Sequence, residues 1–395
     1  MILLDNSAIK KYEEKRLTNR KLLWEEPSLY SAVQNASLRA CGFPREYIQG
    51  RGALQELPSL MKPHGFGRAV AIVDPVMIDR LRPALAGMPI ELLAFGGECT
   101  FEEAERLSQD LDDYDLVIGI GGGKSLDTAK MVSIIKQAGF FSVPTIASND
   151  APTSRLVVLY DKDHRIVGNR FMAFNPDVVL VDTDIIAGAP VRFLRAGIGD
   201  ALTKFYEARA VQRSGGRNFL SASPPYVAMS LGAVCLDTIL VEGASCLESL
   251  AKGERAEGFE RLVEAAILLS GLAFESGGLS IAHSMARGLT RIPEIASALH
   301  GEQVAYGLLV QLQLEGDAAA LQRLQAFCRS IGHPARLCDF GVKRRDVRAA
   351  IKTIADGTLT APYLVNFGFA VTREHLLEAM ASLEADGEES HCVGA

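Results

Sequence analysis

The seven cysteines, at 41, 99, 235, 246, 328, 338 and 392, include no CxxC pair. That excludes a zinc ribbon and reads as reduced thiols in a cytoplasmic protein. Basic charge is also scarce, with 41 Lys and Arg against 48 Asp and Glu and a formal net charge of −7. Without a basic stripe, and with the wrong sign for phosphate backbones, no nucleic-acid partner is expected. No apolar run reaches the length of a membrane span, and the opening MILLDNSAIKKYEEKRLTNRK is too short in apolar residues for a secretory segment. HExxH is missing, as is any Cys–His or Ser–His pair with an identifiable acid. What is present is an ordinary globular composition, 48% hydrophobic and 23% charged over 395 residues. That length suits roughly two or three domains.

The chain is organised around residues 116–130, LVIGIGGGKSLDTAK. Leu116, Val117, Ile118 and Ile120 read as a buried strand, Gly121, Gly122 and Gly123 as a tight turn, and KSLDTAKMVSIIK as the helix that follows. Such a turn lets backbone N–H groups approach a pyrophosphate at the positive end of a helix dipole. A structural strand-to-helix turn with a solvated Lys124 is the alternative. A P-loop is excluded because Ile118, not glycine, stands six residues before Lys124. The usual Rossmann fingerprint is excluded too, since about seventy residues of strand and helix pattern precede the turn.

Residues 68–75, 90–97, 115–122, 142–148 and 177–182 read as buried strands, preceded by an element at YIQGRGAL and separated mostly by helical patterns. Alternation of this kind gives an α/β domain with a parallel sheet, expected over 44–190. RLVVLYDKDHRIVGNRFMAF reads as a hairpin inserted before the last strand. From 191 to 395 the spacing is helical throughout, which predicts an all-α second domain, with a ligand cleft between the two. Residues 1–43 have no clear period and read as an N-terminal extension.

Asp74 ends the strand RAVAIVD, where a carboxylate accepts ribose hydroxyls or caps the helix begun by Pro75. PTIASNDAPTS is a polar loop after a strand, suited to ligands or simply to turns. In the helical part Asp200, His283 and His300 each lie near a glycine-bounded helix segment. One carboxylate and two imidazoles leave a divalent ion an open position for substrate. Taken singly, the three read as a helix cap, a core histidine and a second cap, and no spacing links them. His64, His164, His333 and His375 are expected at the surface. Glu275 is read as solvated or capping, with a brace for the His283 segment as the other role.

YIQG, FGGEC, GIGGGKSLDTAK, PTIASNDAPTS, AGIGDAL, FESGGL, AHSMARGLT and HGEQVAYG, in that order over roughly residues 47–310, resemble the glycerol dehydrogenase branch of the iron-containing alcohol dehydrogenase and dehydroquinate synthase-like superfamily. The resemblance implies a zinc ion held by Asp200, His283 and His300 with the substrate alcohol at its open position. It implies NAD against Asp74, Gly121, Gly122, Gly123, Lys124, Ser125, Thr145, Ile146, Ala147, Ser148, Ser154, Leu156 and Tyr160, with Asp150 touching a small polyol. It further implies hydride transfer from glycerol or a related vicinal diol to NAD, in a homo-oligomer. The donor set accepts zinc, iron or cobalt. The alternatives are a relative acting on hydroxycarboxylates or a glycerol phosphate, and a non-catalytic NAD-binding redox sensor. Residues 357–371, GTLTAPYLVNFGFAV, depart from the family pattern.

Overall fold

A computed structural model describes residues 38–109, 111 and 113–385. The expected extension at 1–43 lies outside these residues up to position 37. Eight strands are present among the described residues: β1 (Glu46–Gly50), β2 (Ala69–Val73), β3 (Ile90–Ala94), β4 (Leu116–Gly121), β5 (Gly139–Pro144), β6 (Leu156–Tyr160), β7 (Ile166–Phe171) and β8 (Val178–Asp182). Six form one sheet in the order β1-β8-β5-β4-β2-β3. Every pairing in it is parallel, with Leu116 of β4 opposite both Ala69 and Gly139. Helices α1 (Pro75–Leu85), α2 (Phe101–Leu107) and α3 (Gly123–Lys136) connect the strands. Strands covered on both faces need unbroken apolar runs, and β2, β4 and β8 are buried at every residue.

Two strand expectations need correction. β3 lies at the sheet edge and is half-exposed, because only one side of it has a partner. The strand expected at 142–148 runs over Gly139–Pro144 instead, and TIAS belongs to the loop after Pro144. The hairpin is present as antiparallel β6–β7, turned at His164, whose φ of 61° is left-handed.

Beyond β8 the described residues are mainly helical: α4 (Val191–Ser214), α5 (Tyr226–Ala251), α6 (Ser270–Gly277), α7 (Ile281–Leu289), α8 (His300–Glu315), α9 (Ala318–Ser330), α10 (Val347–Thr358) and α11 (Arg373–Ala385) are the main members. A π-helical turn, Ala265–Leu269, leads into α6. The expectation of no span-length apolar stretch fails at α5, which is long and apolar enough to cross a bilayer by length and composition. Asp237, Glu242 and Glu248 interrupt its sequence, so no unbroken run reveals it. The helix packs on α4 and on the π-helical turn. Residues 357–371 complete α10 and form a 3₁₀ turn, Pro362–Asn366. Asn366 accepts from Ser280 Oγ (2.7 Å) and donates to the Leu279 carbonyl (2.9 Å), so this segment props the start of α7.

His164 is exposed as expected and His375 is half-buried against Phe369, but His64 and His333 are not at the surface. His64 lies against Phe66 and Phe141, at ring-centroid distances of 6.4 and 5.4 Å. His333 is 3% exposed and sits 2.7 Å from the Arg195 carbonyl, to which its neutral ring donates from Nε2. Burial pushes the imidazole down to about 4, against the pull of that hydrogen bond. An unfolded imidazole takes its proton near 6.5, so the unfolded state binds more protons between those values. Stability contributed by the neutral ring is therefore present above about pH 6.5 and is lost as pH falls towards 4, by roughly 3 kcal/mol in all. In His333→Gln the loss of thermal stability between pH 7 and 5 should be visibly smaller than in the parent. Parallel melting curves for the two proteins check this.

Candidate functional site

β2, β4 and β5 end together at the carboxyl edge of the sheet. There the Asp74 N–H donates to the Ile120 carbonyl and the Thr145 N–H to the Gly121 carbonyl, both at 3.0 Å. α3 begins at Gly123 with Gly122 as its N-cap and no side-chain cap, so its leading N–H groups keep the polarity that suits a phosphate. Ile146 and Asn149, from the loop after β5, lie directly over Gly122 and Gly123. Lys124 pairs with Glu98 (2.6 Å) and lies 4.9 Å above the Tyr160 ring rather than standing solvated alone. Ser125 donates to the Ile120 carbonyl at 3.3 Å, and Asp74 caps α1 by accepting from the Val76 N–H at 3.2 Å. Thus Asp74, Gly121, Gly122, Gly123, Ser125, Thr145 and Ile146 share one edge. Ala147 and Ser148 lead away to α4, where the Ala147 carbonyl abuts Gly197. Ser154 is buried in the loop, and Leu156 and Tyr160 bound β6.

The loop that carries Asp150 is pinned from beneath by a charged pair within α3. Lys130, fully buried, donates to the Ala151 carbonyl (2.7 Å), the Leu156 carbonyl (2.9 Å) and Asp127 (3.0 Å). Asp127 in turn accepts from the Val158 N–H at 3.0 Å. On the far side Thr153 donates to the Ile267 carbonyl (3.1 Å), so the loop touches the helical half.

Three helices converge below it because two glycines let their backbones meet. A Cβ at Gly301 of α8 would fall 1.7 Å from the Ala196 carbonyl of α4, and one at Gly307 would fall 2.4 Å from the Ala282 carbonyl of α7. These contacts place His300, Asp200 and His283 side by side. One donor atom from each lies within 4.8 Å of the others. His283 Nε2 is 3.3 Å and His300 Nε2 is 4.0 Å from Asp200 Oδ1.

Chemistry as well as spacing suits a divalent cation. His283 Nδ1 is 2.5 Å from Glu207 Oε2, the carboxylate–histidine arrangement that aims the other ring nitrogen at a metal. Glu207, fully buried, also accepts from the backbone N–H groups of Ser280 (2.8 Å) and His283 (3.0 Å). Burial opposes charge on Asp200, but the Lys204 ammonium and both imidazoles outweigh it and hold the carboxyl well below its usual range. His300 keeps 46% of its side chain exposed, yet lost solvation still holds it below the ordinary imidazole range, against the pull of Asp200. A neutral imidazole is the ligand form. His283 is pushed up: burial works against its charge, and Glu207 overcomes it.

Lys204 and Glu207 escaped the sequence reading. They follow Asp200 at i+4 and i+7 on α4, so the three share one face of a helix whose neighbouring residues are apolar. Three ionisable groups on such a face are the signal that identifies them. Glu275 needs correction. It is 1% exposed and braces no part of the His283 segment, a role filled by Glu207. Its carboxylate accepts from the Arg155 N–H (2.9 Å), Arg155 Nε (3.2 Å) and Asn175 Nδ2 (2.5 Å), tying α6 to the α/β half.

Comparison with known proteins agrees with this architecture. The family described as iron-containing alcohol dehydrogenase matches residues 44–183. A glycerol dehydrogenase from Pseudomonas putida is 38% identical over 80% of this chain and 89% of its own length. A glycolaldehyde reductase from Halobacterium salinarum is 38% identical over 76% of this chain and 84% of its own. The crystal structure of a probable glycerol dehydrogenase from Sinorhizobium meliloti superposes with a TM-score of 0.82 at 36% identity, covering 88% of this chain and 98% of that one. A sheet ending in an uncapped glycine turn, a polar loop beside it and similarity of this extent lead to one conclusion: the chain is an oxidoreductase of the iron-containing alcohol dehydrogenase family.

Proposed function

We propose that the protein oxidises glycerol or a related vicinal diol with NAD as acceptor, and that Asp200, His283 and His300 hold a divalent ion, zinc being well suited to one carboxylate and two imidazoles. The observation that carries this reading is the meeting of those three donors within 4.8 Å, below the loop that bears Asp150. When bound, the ion would supply positive charge that favours loss of the hydroxyl proton, and NAD would supply the hydride acceptor.

The protein's own part is positioning. Glu207 fixes the His283 ring, and Asp200 stays ionised at the centre. The first turn of α3, with Asp74 and Thr145 beside it, offers the dinucleotide a bed of backbone N–H groups. Asp150 is buried except for 13% of its side chain and presents an acceptor for the hydroxyl next to the reacting one. The basic side chains near the loop, Lys130, Arg155 and Lys204, are matched by carboxylates. That matching favours a neutral diol over a hydroxycarboxylate or a phosphorylated glycerol.

NAD reduction with glycerol, 1,2-propanediol, a 2-hydroxyacid, glycerol 1-phosphate and a simple alcohol tests the reading. Turnover should be confined to the diols, vanish with a chelator and return with added zinc. Asp150→Ala should lower kcat/KM for glycerol at least about tenfold more than for the simple alcohol. Equal losses on both would remove Asp150 from the substrate site, and NAD binding without any turnover would favour the sensor.

A further inference from the structure

Lys204 points its ammonium at the two donors a metal would share. Nζ lies 2.6 Å from Asp200 Oδ1 and 3.2 Å from His283 Nε2, with Asp150 Oδ2 at 2.9 Å on another side. The side chain has no exposed surface and lies 5.4 Å from the centre of the Phe274 ring. Two cations cannot hold the same carboxylate oxygen and imidazole nitrogen at contact distance, because in a buried site their repulsion is screened little.

We propose that Lys204 is the resident cation of the metal-free protein, and that a divalent metal enters by displacing its ammonium from Asp200 and His283 onto Asp150. The proposal rests on the reading of Asp200, His283 and His300 as ligands. Three buried carboxylates, Asp150, Asp200 and Glu207, surround this point and need positive charge beside them. A lysine stem is flexible, and the head group is a compact point charge with three donors. A short swing of Nζ therefore breaks the contacts to Asp200 and His283 while the ion pair with Asp150 persists. Metal affinity is then lower than the donor set alone would give. Asp150, in the loaded protein, meets substrate as one half of an ion pair.

The test uses the full chain stripped with a chelator, Zn²⁺ titrated calorimetrically, and melting curves with and without Zn²⁺. Lys204→Met and Lys204→Gln should each bind Zn²⁺ about tenfold or more tightly than the parent, and each should melt earlier than the parent only when metal-free. Asp150→Asn should weaken Zn²⁺ binding about tenfold in the parent and by less than about threefold in the Lys204→Met background, where no ammonium has to be rehoused. Unchanged or weaker Zn²⁺ binding in both lysine variants, with a stoichiometric parent, overturns the displacement and leaves the metal reading standing. No Zn²⁺ binding in any of the proteins removes both. Binding by the lysine variants alone overturns the displacement, since the parent would then keep its lysine in place and take up no metal. Should neither lysine variant fold, unchanged affinity in Asp150→Asn overturns the proposal.

Discussion

Alanine in place of His283 should strip the protein of stoichiometric metal and lower kcat/KM for diols by about three orders of magnitude or more, as expected when the charge that stabilises a developing anion is lost. The substitution removes one of three donors, and it also removes the cationic or hydrogen-bonding partner of Glu207. Two backbone N–H groups at 2.8 and 3.0 Å remain to that carboxylate. NAD binding should survive within about threefold, because the glycine turn belongs to the other half of the chain and shares no side chain with His283. Elemental analysis, steady-state rates and a fluorescence titration with NAD read the three effects separately. Retained turnover after loss of the metal would defeat the assignment of this cluster to the chemistry.

Glu275→Leu should give the largest loss of stability among substitutions outside the metal cluster. The carboxylate is 1% exposed and receives three hydrogen bonds from Arg155 and Asn175, and Arg155 is itself 5% exposed. Removing one partner of a buried ion pair costs about 3–5 kcal/mol, because the other charge is left in a poor solvent. For a chain of this size that corresponds to a fall in melting temperature of about 5 °C. The pair joins α6 to the strand-bearing half, so the transition should also broaden as the halves lose their tie. Adding Arg155→Met to Glu275→Leu should recover part of the loss, since apolar pairs replace buried ion pairs with little penalty. A double variant less stable than either single one would show that the two side chains act independently.

The sheet was legible because strands covered on both faces must be apolar without interruption, and RAVAIVD, DLVIGIGG and DVVLVD advertise that directly. β3 was misread by the same rule, since IELLA is nearly as apolar yet has a neighbour on one side only. Asp200, His283 and His300 were visible as residue types, but the glycine contacts that bring α4, α7 and α8 together depend on backbones remote in the chain. Lys204 and Glu207 carry no local mark of their role, because only the packed helices make their face of α4 an interior one. His64 and His333 failed for a related reason. A polar neighbourhood in sequence says little about an aromatic ring that folds back on Phe141 or beneath the carbonyl of Arg195. The identities of ion and diol depend on occupancy and fit, which residue order does not encode.

Lys130 grips Ala151 and Leu156 from the same helix whose opening turn faces the candidate nucleotide bed. The glycine turn and the loop of Asp150 are thus bolted to a single rod. Whatever steadies that rod at its tip also steadies the loop at its side.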